Sequence, residues 1–277
     1  MKVFNKALLR ILSVLFVTII LILSIVPLLW VVVSSLNTNK EILSATLGYP
    51  NGPQYDNYAK ALRLAPIARF YVNSLIICLC STTLNIILMA MAAYPIARFR
   101  FRFRSMFRTL FYVALLVPGA ALLLPLYLTV NSIGLYDSKL GMILVYAGFG
   151  MPTSLFTIMS YYLTIPRELE ESSYIDGAGF SRTFFQIVFP LAKPAYATAF
   201  ILAFLNSWKE FQFALVLTNS DNSRTLPIAL YYFKSQFSTD YGSMFAATTM
   251  VVLPSIFIYL LMQKQIVAGL VSGSVKG

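Results

Sequence analysis

The residues best suited to chemistry in this chain form two small charged groups. Glu168, Glu170 and Glu171 lie close together in a polar segment, and Lys209 and Glu210 are adjacent in an apolar stretch. The chain contains no histidine, so it lacks the commonest general base and the commonest metal ligand. We therefore expect no catalytic residue and no metal site. The glutamates are candidates for a docking element, and Lys209 and Glu210 are candidates either for lining a pathway or for helix packing.

The composition indicates which elements must position these groups. Hydrophobic residues make up 58% of the 277 positions and charged residues 11%, whereas a soluble domain has about 45–50% and about 25%. Apolar runs of about 18 residues or more are long enough to cross the hydrocarbon core of a bilayer. We predict an all-α membrane protein, a single domain over 1–277 with six transmembrane helices. The predicted spans are about 8–36, 71–96, 107–130, 139–163, 195–217 and 243–262.

The basic residues predict how these spans are oriented. Five arginines lie between the second and third spans, from Arg98 to Arg108, and Lys264 and Lys276 follow the last span. Because Lys and Arg collect in short cytoplasmic loops, we place both termini and the segment 164–194 in the cytoplasm. We interpret the arginine cluster as an anchor of this topology. The net charge of +11 then needs no nucleic acid to explain it, and the sequence offers no basic surface domain to bind one.

The segment 164–194 is too polar to span a membrane and too long for a hairpin turn. Its glutamates suit the first turns of a helix, where acidic groups complement the helix dipole. Gly177 and Gly179 predict a sharp reversal, and Ser181 is then a suitable N-cap for a second short helix that ends at Pro190. We predict a helix–turn–helix at the membrane surface. The residues alone leave open whether it docks a partner or only leads the chain back into the membrane.

This segment resembles the EAA motif of ABC importer permeases, which reads Glu-Ala-Ala, three residues, Gly, nine residues and Ile-x-Leu-Pro. The residues that match its spacing are Glu171, Ser172, Ser173, Gly177, Ile187 and Pro190. Serines replace both alanines and Phe189 replaces the leucine, while Asp176-Gly177-Ala178 is similar to the carbohydrate-uptake version. Further strings fit the same family in their order along the chain, at 73–75, 92–98, 134–135, 208–211, 225–227 and 272–277. The chain is therefore identified as a MalG-like, binding-protein-dependent inner-membrane permease of the carbohydrate-uptake type.

The resemblance implies that the segment supplies a coupling helix, which inserts into a cleft on a separate ATPase. The chain has no phosphate-cradling G-x-x-x-x-G-K-[ST] loop, so we expect ATP and Mg²⁺ on that ATPase and no cofactor on this chain. The other implied partners are a second, homologous permease, two ATPase subunits, an extracytoplasmic sugar-binding protein and the lipid of a bacterial or archaeal cytoplasmic membrane. The residues implied in ATPase coupling are Glu170, Glu171, Ser172, Ser173, Asp176, Gly177, Ala178, Gly179, Ile187 and Pro190.

Polar and aromatic residues inside the predicted spans are candidates for lining a pathway. A charge near the bilayer centre costs roughly 2.5–3.5 kcal/mol on insertion scales, so such residues usually face protein or a water-filled path. For Lys209 and Glu210, snorkelling and helix packing remain open beside pathway lining. The candidates are Asn85, Asn206, Trp208, Lys209, Glu210 and Phe211. In the outer loop 219–241, the residues that are either solvated or in contact with the binding protein are Asp221, Asn222, Arg224 and Thr225.

Two other functions remain open from the sequence. A stand-alone secondary transporter normally needs ionisable residues near the midplane of the membrane, and Lys209 and Glu210 are the pair available for that role. An ABC importer for a non-sugar solute is the second alternative. The string at 176–178 and the tail at 275–277 favour carbohydrate over such a solute.

Overall fold

The structure is a computed structural model that describes residues 2–44, 52–233 and 240–274. The predicted tail string at 275–277, which includes Lys276, lies outside these residues. The chain divides into two compact units. One unit contains 1–67 and 229–253, and the other contains 68–228 and 254–277.

The first unit is built around one long apolar helix. It contains α1 (Lys2–Ser34), α2 (Asn39–Leu43), α3 (Asp56–Leu64) and the beginning of the last helix, α13 (Tyr241–Ser274). The buried Asn57 amide donates to the carbonyls of Ser35 (2.9 Å) and Asn37 (3.0 Å), which fastens α3 to the end of α1. The most apolar window of α1 is 0% buried and has a mean hydropathy of 2.9. Its surface is therefore suited to lipid or to another subunit.

The second unit holds the remaining long helices and a run of short ones. The long helices α4 (Ile67–Arg98), α7 (Lys139–Tyr162) and α11 (Lys193–Trp208) share a buried contact, in which the Tyr162 hydroxyl donates to the carbonyl of Ala90 (3.0 Å) and lies 2.6 Å from the Tyr196 hydroxyl. The other elements of this unit are α5 (Arg104–Leu116), a 3-10 turn (Gly119–Leu122), α6 (Leu123–Ser132), α8 (Glu168–Ile175), α9 (Phe180–Thr183), a π-turn (Phe184–Val188), α10 (Phe189–Leu191) and α12 (Gln212–Leu217). A second 3-10 turn (Leu226–Phe233) is divided between the units, with 226–228 in this one and 229–233 in the first.

Three of the described helices are long and apolar enough to cross a membrane, namely Arg10–Ser34, Ile67–Arg98 and Lys139–Tyr162. Two bent pairs raise this number to five if each pair is one span. The first pair, Arg104–Leu116 with Gly119–Ser132, bends by 98°, and the second, Phe180–Leu191 with Lys193–Trp208, bends by 70°. The helix Tyr241–Pro254 is apolar but shorter. The count of six spans therefore stays a prediction.

Two of the predicted spans differ from single straight helices. The span predicted at 107–130 breaks at Val117 and Pro118, because proline lacks an N–H and forces the preceding residue into the extended conformation. Val117 has φ −77° and ψ 117°. The span predicted at 195–217 breaks between Trp208 and Gln212, and the reason for that break lies in Glu210, as described below.

Candidate functional site

The segment after α7 folds as two short helices joined by a glycine turn. Gly177 has φ +78°, the left-handed region that glycine enters without steric cost. Its N–H donates to the carbonyl of Tyr174 (3.1 Å), and the N–H of Ala178 donates to the carbonyl of Ser173 (2.9 Å). These two bonds form a Schellman motif, which satisfies the last carbonyls of α8 and reverses the chain. The turn therefore depends on the backbone freedom of Gly177.

Two details of the predicted second helix are wrong. Ser181 is not its N-cap, because the Schellman turn is complete by Ala178 and the extended Gly179 (φ −80°, ψ 172°) already precedes the first helical residue, Phe180. Pro190 does not end the helix either, since it lies in the first turn of α10, where its missing N–H is tolerated. The wide π-turn just before it moves the preceding carbonyls, which would otherwise collide with the proline ring.

Glu170 is anchored inside the protein rather than exposed with its acidic neighbours. Its Oε1 lies 2.7 Å from Nε of Arg98, and the exposed fractions of the Arg98 and Glu170 side chains are 5% and 9%. The Tyr94 hydroxyl donates to Oε2 of Glu170 (3.0 Å), and Arg98 also donates to the carbonyl of Ile165. Both partners belong to the end of α4, so this buried ion pair fixes α8 to a membrane-spanning helix. A buried pair of this kind leaves a costly lone charge if one partner is removed.

A second contact fixes the two short helices to each other. The hydroxyl oxygens of Ser173 and Thr183 are 2.8 Å apart, and both residues are buried. Behind them the ring of Phe184 stacks on Tyr94 with 5.0 Å between centroids, and Phe180 lies 5.5 Å from the same ring. The helix–turn–helix is therefore held as one body against the end of α4.

The opposite face of this body is exposed. The candidates Glu171, Ser172, Asp176, Gly177, Gly179 and Pro190 are exposed, Ala178 and Ile187 are half-buried, and Glu170 and Ser173 face inward. Ile175 is 87% exposed, the highest value among the large apolar side chains that the structure describes. An apolar side chain that projects from the last turn of a short helix is suited to enter a pocket on another protein.

Sequence reasoning missed three residues of this site. The sequence pattern predicts only a topology anchor for Arg98, and it predicts no individual role for Tyr94 or Ile175. The pairs Arg98–Glu170 and Tyr94–Glu170 connect residues more than seventy positions apart, and no local pattern marks them. Ile175 did carry a signal, since it is a large apolar residue in the middle of a polar segment and directly before the turn.

The pathway candidates separate into buried, exposed and cavity-lining residues. Asn85 is buried and its amide donates to the carbonyl of Ala147 (2.7 Å), while Trp208 is buried with its ring 5.5 Å from that of Tyr71. These two residues belong to helix packing. Lys209 and Phe211 are exposed outside the cavity that Asn206 and Glu210 line, which has a volume of about 240 Å³.

Glu210 explains why the helix breaks where it does. Its carboxylate accepts hydrogen bonds from the N–H groups of Phe213 (2.8 Å) and Ala214 (3.1 Å), the first orphan donors of α12, and from the Tyr146 hydroxyl (2.7 Å). A carboxylate in this position stabilises the N-terminus of the new helix and its dipole. The charge near the centre of the apolar run is thus compensated by three donors.

The outer loop candidates are carried on a fastened turn. The Asp137 carboxylate accepts from the N–H groups of Asn219 (2.8 Å) and Ser220 (2.9 Å) and from the Ser223 hydroxyl. The Asn73 amide donates to the carbonyls of Asp221 (3.0 Å) and Arg224 (2.9 Å). Asn222 is exposed, and Asp221 and Arg224 are half-buried. Thr225 is 2% exposed, so its side chain belongs to the interior of the turn and not to a contact surface.

Asp137 makes the turn at 219–225 sensitive to low pH. Partial burial raises the pKa of this carboxyl, but the hydrogen bonds from Ser223, Asn219 and Ser220 outweigh it and hold the pKa below its usual value. The lowered pKa contributes stability above the pKa of the unfolded chain, about 3.9, and that stability is lost as the pH falls toward the folded value. We expect Asp137→Asn to lower the free energy of unfolding by about 1 kcal/mol at pH 7, because asparagine keeps the accepting oxygen and loses only the contribution of the charge. Asparagine tolerates the φ of 55° at this position, so the variant isolates the charge.

Thermal unfolding of the purified chain in detergent checks this expectation. The difference in Tm between wild type and Asp137→Asn should stay constant from pH 7 to pH 5 and narrow below about pH 4. A difference that does not change with pH would contradict the assignment of the effect to the Asp137 charge.

Apolar helices long enough to cross a membrane, together with an exposed helix–turn–helix that is too polar to do so, define the class of multi-pass membrane proteins. The model of one family, the binding-protein-dependent transport system inner membrane component, matches residues 85–271. The chain belongs to this family.

Relatives along nearly the whole chain agree with this assignment. It is 35% identical to the probable ABC transporter permease protein YurM of Bacillus subtilis (strain 168), over 91% of this chain and 83% of that one. It is 35% identical to the trehalose transport system permease protein SugB of Mycobacterium tuberculosis, over 92% and 93%, and 33% identical to the diacetylchitobiose uptake system permease protein NgcG of Streptomyces coelicolor, over 91% and 84%. The predicted family of ABC importer permeases is confirmed.

A solved structure shows the same fold. A chain in the crystal structure of a bacterial ABC transporter involved in the import of the acidic polysaccharide alginate superposes with a TM-score of 0.80. The match covers 94% of this chain and 97% of that chain at 19% sequence identity. The predicted all-helical permease architecture is thereby confirmed as a fold.

Proposed function

We propose that this chain is the membrane-spanning permease subunit of an ATP-binding-cassette importer for a sugar or oligosaccharide. It forms half of the translocation pore and couples that pore to a separate ATPase. The observation that carries the proposal is the short helix–turn–helix, which exposes Ile175 on one face. On its buried face, Glu170 forms an ion pair with Arg98 of α4. The relatives named for trehalose and diacetylchitobiose uptake support the sugar class.

The proposed assembly contains a second, homologous permease, two ATPase subunits and an extracytoplasmic sugar-binding protein. ATP and Mg²⁺ are bound by the ATPase, so this chain holds no cofactor and catalyses no reaction itself. The assembly lies in the cytoplasmic membrane of a bacterium or archaeon, with both termini of this chain in the cytoplasm. The exposed apolar surface of α1 supports contact with lipid or with the second permease. The fastened turn with Asp221, Asn222 and Arg224 supports docking of the binding protein at the outer face.

Coupling proceeds through contacts that resist deformation. The ATPase moves the exposed face around Ile175 when it closes on ATP. The ion pair of Glu170 and Arg98 transmits this movement to α4, and the contact of Ser173 with Thr183 transmits it to the helices that lead into α11. The side chains of both contacts are buried, so the segment moves as one body. The pore then switches between inward-facing and outward-facing states.

The alternative of a stand-alone secondary transporter is disfavoured by the role of Glu210. A proton- or ion-driven carrier needs an acidic group that is free to release and regain its partner during transport. Glu210 instead accepts three hydrogen bonds, two of which hold the N-terminus of α12. An importer for a non-sugar solute is the remaining alternative. Uptake assays with the reconstituted complex separate it from the sugar importer.

Ile175→Asp tests the docking surface directly. Full burial of an isoleucine side chain contributes about 1.5–3 kcal/mol, so we expect the affinity for the ATPase to fall by about 10- to 100-fold. The variant should still insert in the membrane, because Ile175 makes no part of a span. The measurement is co-purification of the ATPase with the tagged permease, followed by titration of the isolated subunits.

A matched control is Ile133→Asp, which places the same charge at an exposed isoleucine after α6 and away from the segment. It should retain the ATPase. The proposed function itself is tested by sugar uptake into proteoliposomes that contain the whole complex. Uptake that needs no ATPase and follows an ion gradient would overturn it, and equal loss of the ATPase in both variants would overturn the assignment of the surface.

A further inference from the structure

The cavity between α7 and the broken fifth span contains an unusual concentration of polar side chains. Its polar lining, here called the polar niche, consists of Tyr146, Thr153, Ser154, Asn206, Ser207 and Glu210. Tyr146 and Ser154 lie about 10 and 23 Å from the start of α7 at 1.5 Å per residue, which is the middle part of a helix that crosses about 30 Å of hydrocarbon. Polar groups at this depth are costly unless they face a path for water or solute.

Helix capping accounts for only part of the polar niche. Glu210 and Tyr146 bind each other and the N-terminus of α12, as described above. Capping does not require Asn206 and Thr153, which are exposed on the open side of the cavity. A carboxylate has about four acceptor positions, and three are used by protein donors. One acceptor of Glu210 and the amide of Asn206 therefore remain available to a solute that carries hydroxyl groups.

One wall of the cavity is aromatic. Phe149 and Phe213 line it with their ring centroids 4.5 Å apart and their planes tilted by 39°. A cavity that combines aromatic rings with hydrogen-bonding groups suits a sugar ring, which presents C–H groups on its faces and hydroxyl groups at its edge. The volume of about 240 Å³ is smaller than the roughly 300–1,000 Å³ of a pocket that encloses a drug-sized ligand. The niche therefore fits a single ring and not a whole oligosaccharide.

The charge of the niche restricts the kind of sugar. Among the described residues that line it, Glu210 is the acidic one and none is basic. The Tyr146 hydroxyl and two backbone N–H groups donate to its carboxyl oxygens. A sugar carboxylate that approached this group would meet a like charge in surroundings of low dielectric, which is strongly unfavourable.

We propose that the polar niche is a contact site for one neutral sugar ring in this subunit, and that Glu210 makes it reject uronic acids. This inference rests on the proposed function, because it assigns a transient contact on the path of the imported sugar. Asn206 and Glu210 bind ring hydroxyls, and the wall of Phe149 and Phe213 packs against one face of the ring.

The test uses the purified complex of both permeases and the ATPase. The binding protein is omitted because it would itself bind the sugar. Binding of radiolabelled neutral and uronic-acid disaccharides is measured by scintillation proximity. Asn206→Ala removes one hydrogen-bonding group and should raise the Kd for the neutral sugar about fivefold. Ala203 lines the cavity, so the larger side chain in Ala203→Leu should fill it and raise the Kd for the neutral sugar at least about tenfold. The matched control is Asn131→Ala, which changes an exposed asparagine at the end of α6 and should leave the Kd for the neutral sugar unchanged.

The preference for neutral sugars over uronic acids is a second measurement. It should not change if Glu210 has only a structural role. Glu210→Gln keeps one acceptor oxygen for the N-terminus of α12 and removes the charge, so it should let a uronic-acid disaccharide bind within about threefold of its neutral counterpart. Wild type should prefer the neutral sugar by at least about tenfold. If wild-type proteoliposomes with the binding protein import no sugar on ATP, the proposed function fails. If they do import a sugar, but the Asn206, Ala203 and Glu210 variants bind and discriminate as wild type does, this inference is overturned and the proposed function stands.

Discussion

Arg98→Ala is expected to abolish ATP-coupled uptake and to lower the free energy of unfolding by about 3–5 kcal/mol, because it leaves the carboxylate of Glu170 buried without its cation. The pair is almost fully enclosed, with 5% and 9% of the two side chains exposed. The hydroxyl of Tyr94 remains as a donor to Glu170 but carries no charge to balance it. The segment that we propose to dock the ATPase would then lose its ion pair with α4, and in the proposed mechanism ATPase movement would no longer reach the pore.

A neutral double variant separates stability from coupling. Replacing a buried ion pair by uncharged groups of similar size is often neutral for stability, and glutamine at position 170 can still accept from Tyr94. Arg98→Met with Glu170→Gln should therefore recover most of the lost Tm. Uptake should recover less, because the short charged contact between the segment and α4 is not restored. Uptake per ATP hydrolysed in proteoliposomes and Tm in detergent are the two measurements.

Arg100→Ala is the control for the loss of positive charge. Arg100 belongs to the same cluster but is exposed, and removal of an exposed cation changes stability by about 0–1 kcal/mol. If the cluster acts only as an anchor of topology, the two single variants should be equally defective. Equal effects of Arg98→Ala and Arg100→Ala on Tm and uptake would therefore refute the proposed attachment.

The contrast between these two arginines illustrates what the sequence could predict. The positive-inside rule predicts the side of the membrane for a whole cluster, and it does not distinguish among its members. Which arginine turns inward depends on where α8 packs, and that is decided by tertiary contacts with Glu170, 72 positions away (170 minus 98). The same limit applies to the three glutamates. The helix dipole favours all of them equally, while the packing of α8 buries Glu170 alone and exposes Glu168 and Glu171.

Local backbone chemistry was predicted better than helix continuity. Gly177 was expected to reverse the chain and does so, because a left-handed residue is needed there. The breaks in the third and fifth spans were not expected, since a run of apolar residues looks the same whether it is straight or bent. Pro118 marked the first break. The second break could have been recognised from Glu210, because an acid in an apolar run is well compensated when it caps a new helix.

Gly177→Val is expected to leave membrane insertion intact and to uncouple uptake from ATP hydrolysis. The left-handed conformation costs an L-residue about 1–2 kcal/mol, and a β-branched side chain is a genuine outlier there. A Cβ at position 177 would meet no atom within 4 Å, so the defect arises from the backbone and not from a clash. The Schellman turn opens, and α9 no longer keeps its position against α8, which the contact of Ser173 with Thr183 holds in the wild type. The ATPase then hydrolyses ATP without moving the pore, and uptake per ATP should fall at least about tenfold.

The chain offers a matched control for this variant in a second turn of the same type. Gly134 has φ +72° and also has open space around its Cβ position. The N–H of Gly134 donates to the carbonyl of Asn131 (3.0 Å), and the N–H of Leu135 donates to the carbonyl of Val130 (2.9 Å). Helix α6 therefore ends in the same Schellman motif as α8. Gly134→Val therefore introduces the same strain before α7, whereas Gly177 lies after it. Gly134→Val should therefore show the same uptake per ATP hydrolysed as wild type. Gly177→Asn should also retain coupling, because asparagine tolerates the left-handed region. Normal coupling in Gly177→Val, or an equal defect in Gly134→Val, would show that the turn at Gly177 has no special part in transmitting the motion of the ATPase.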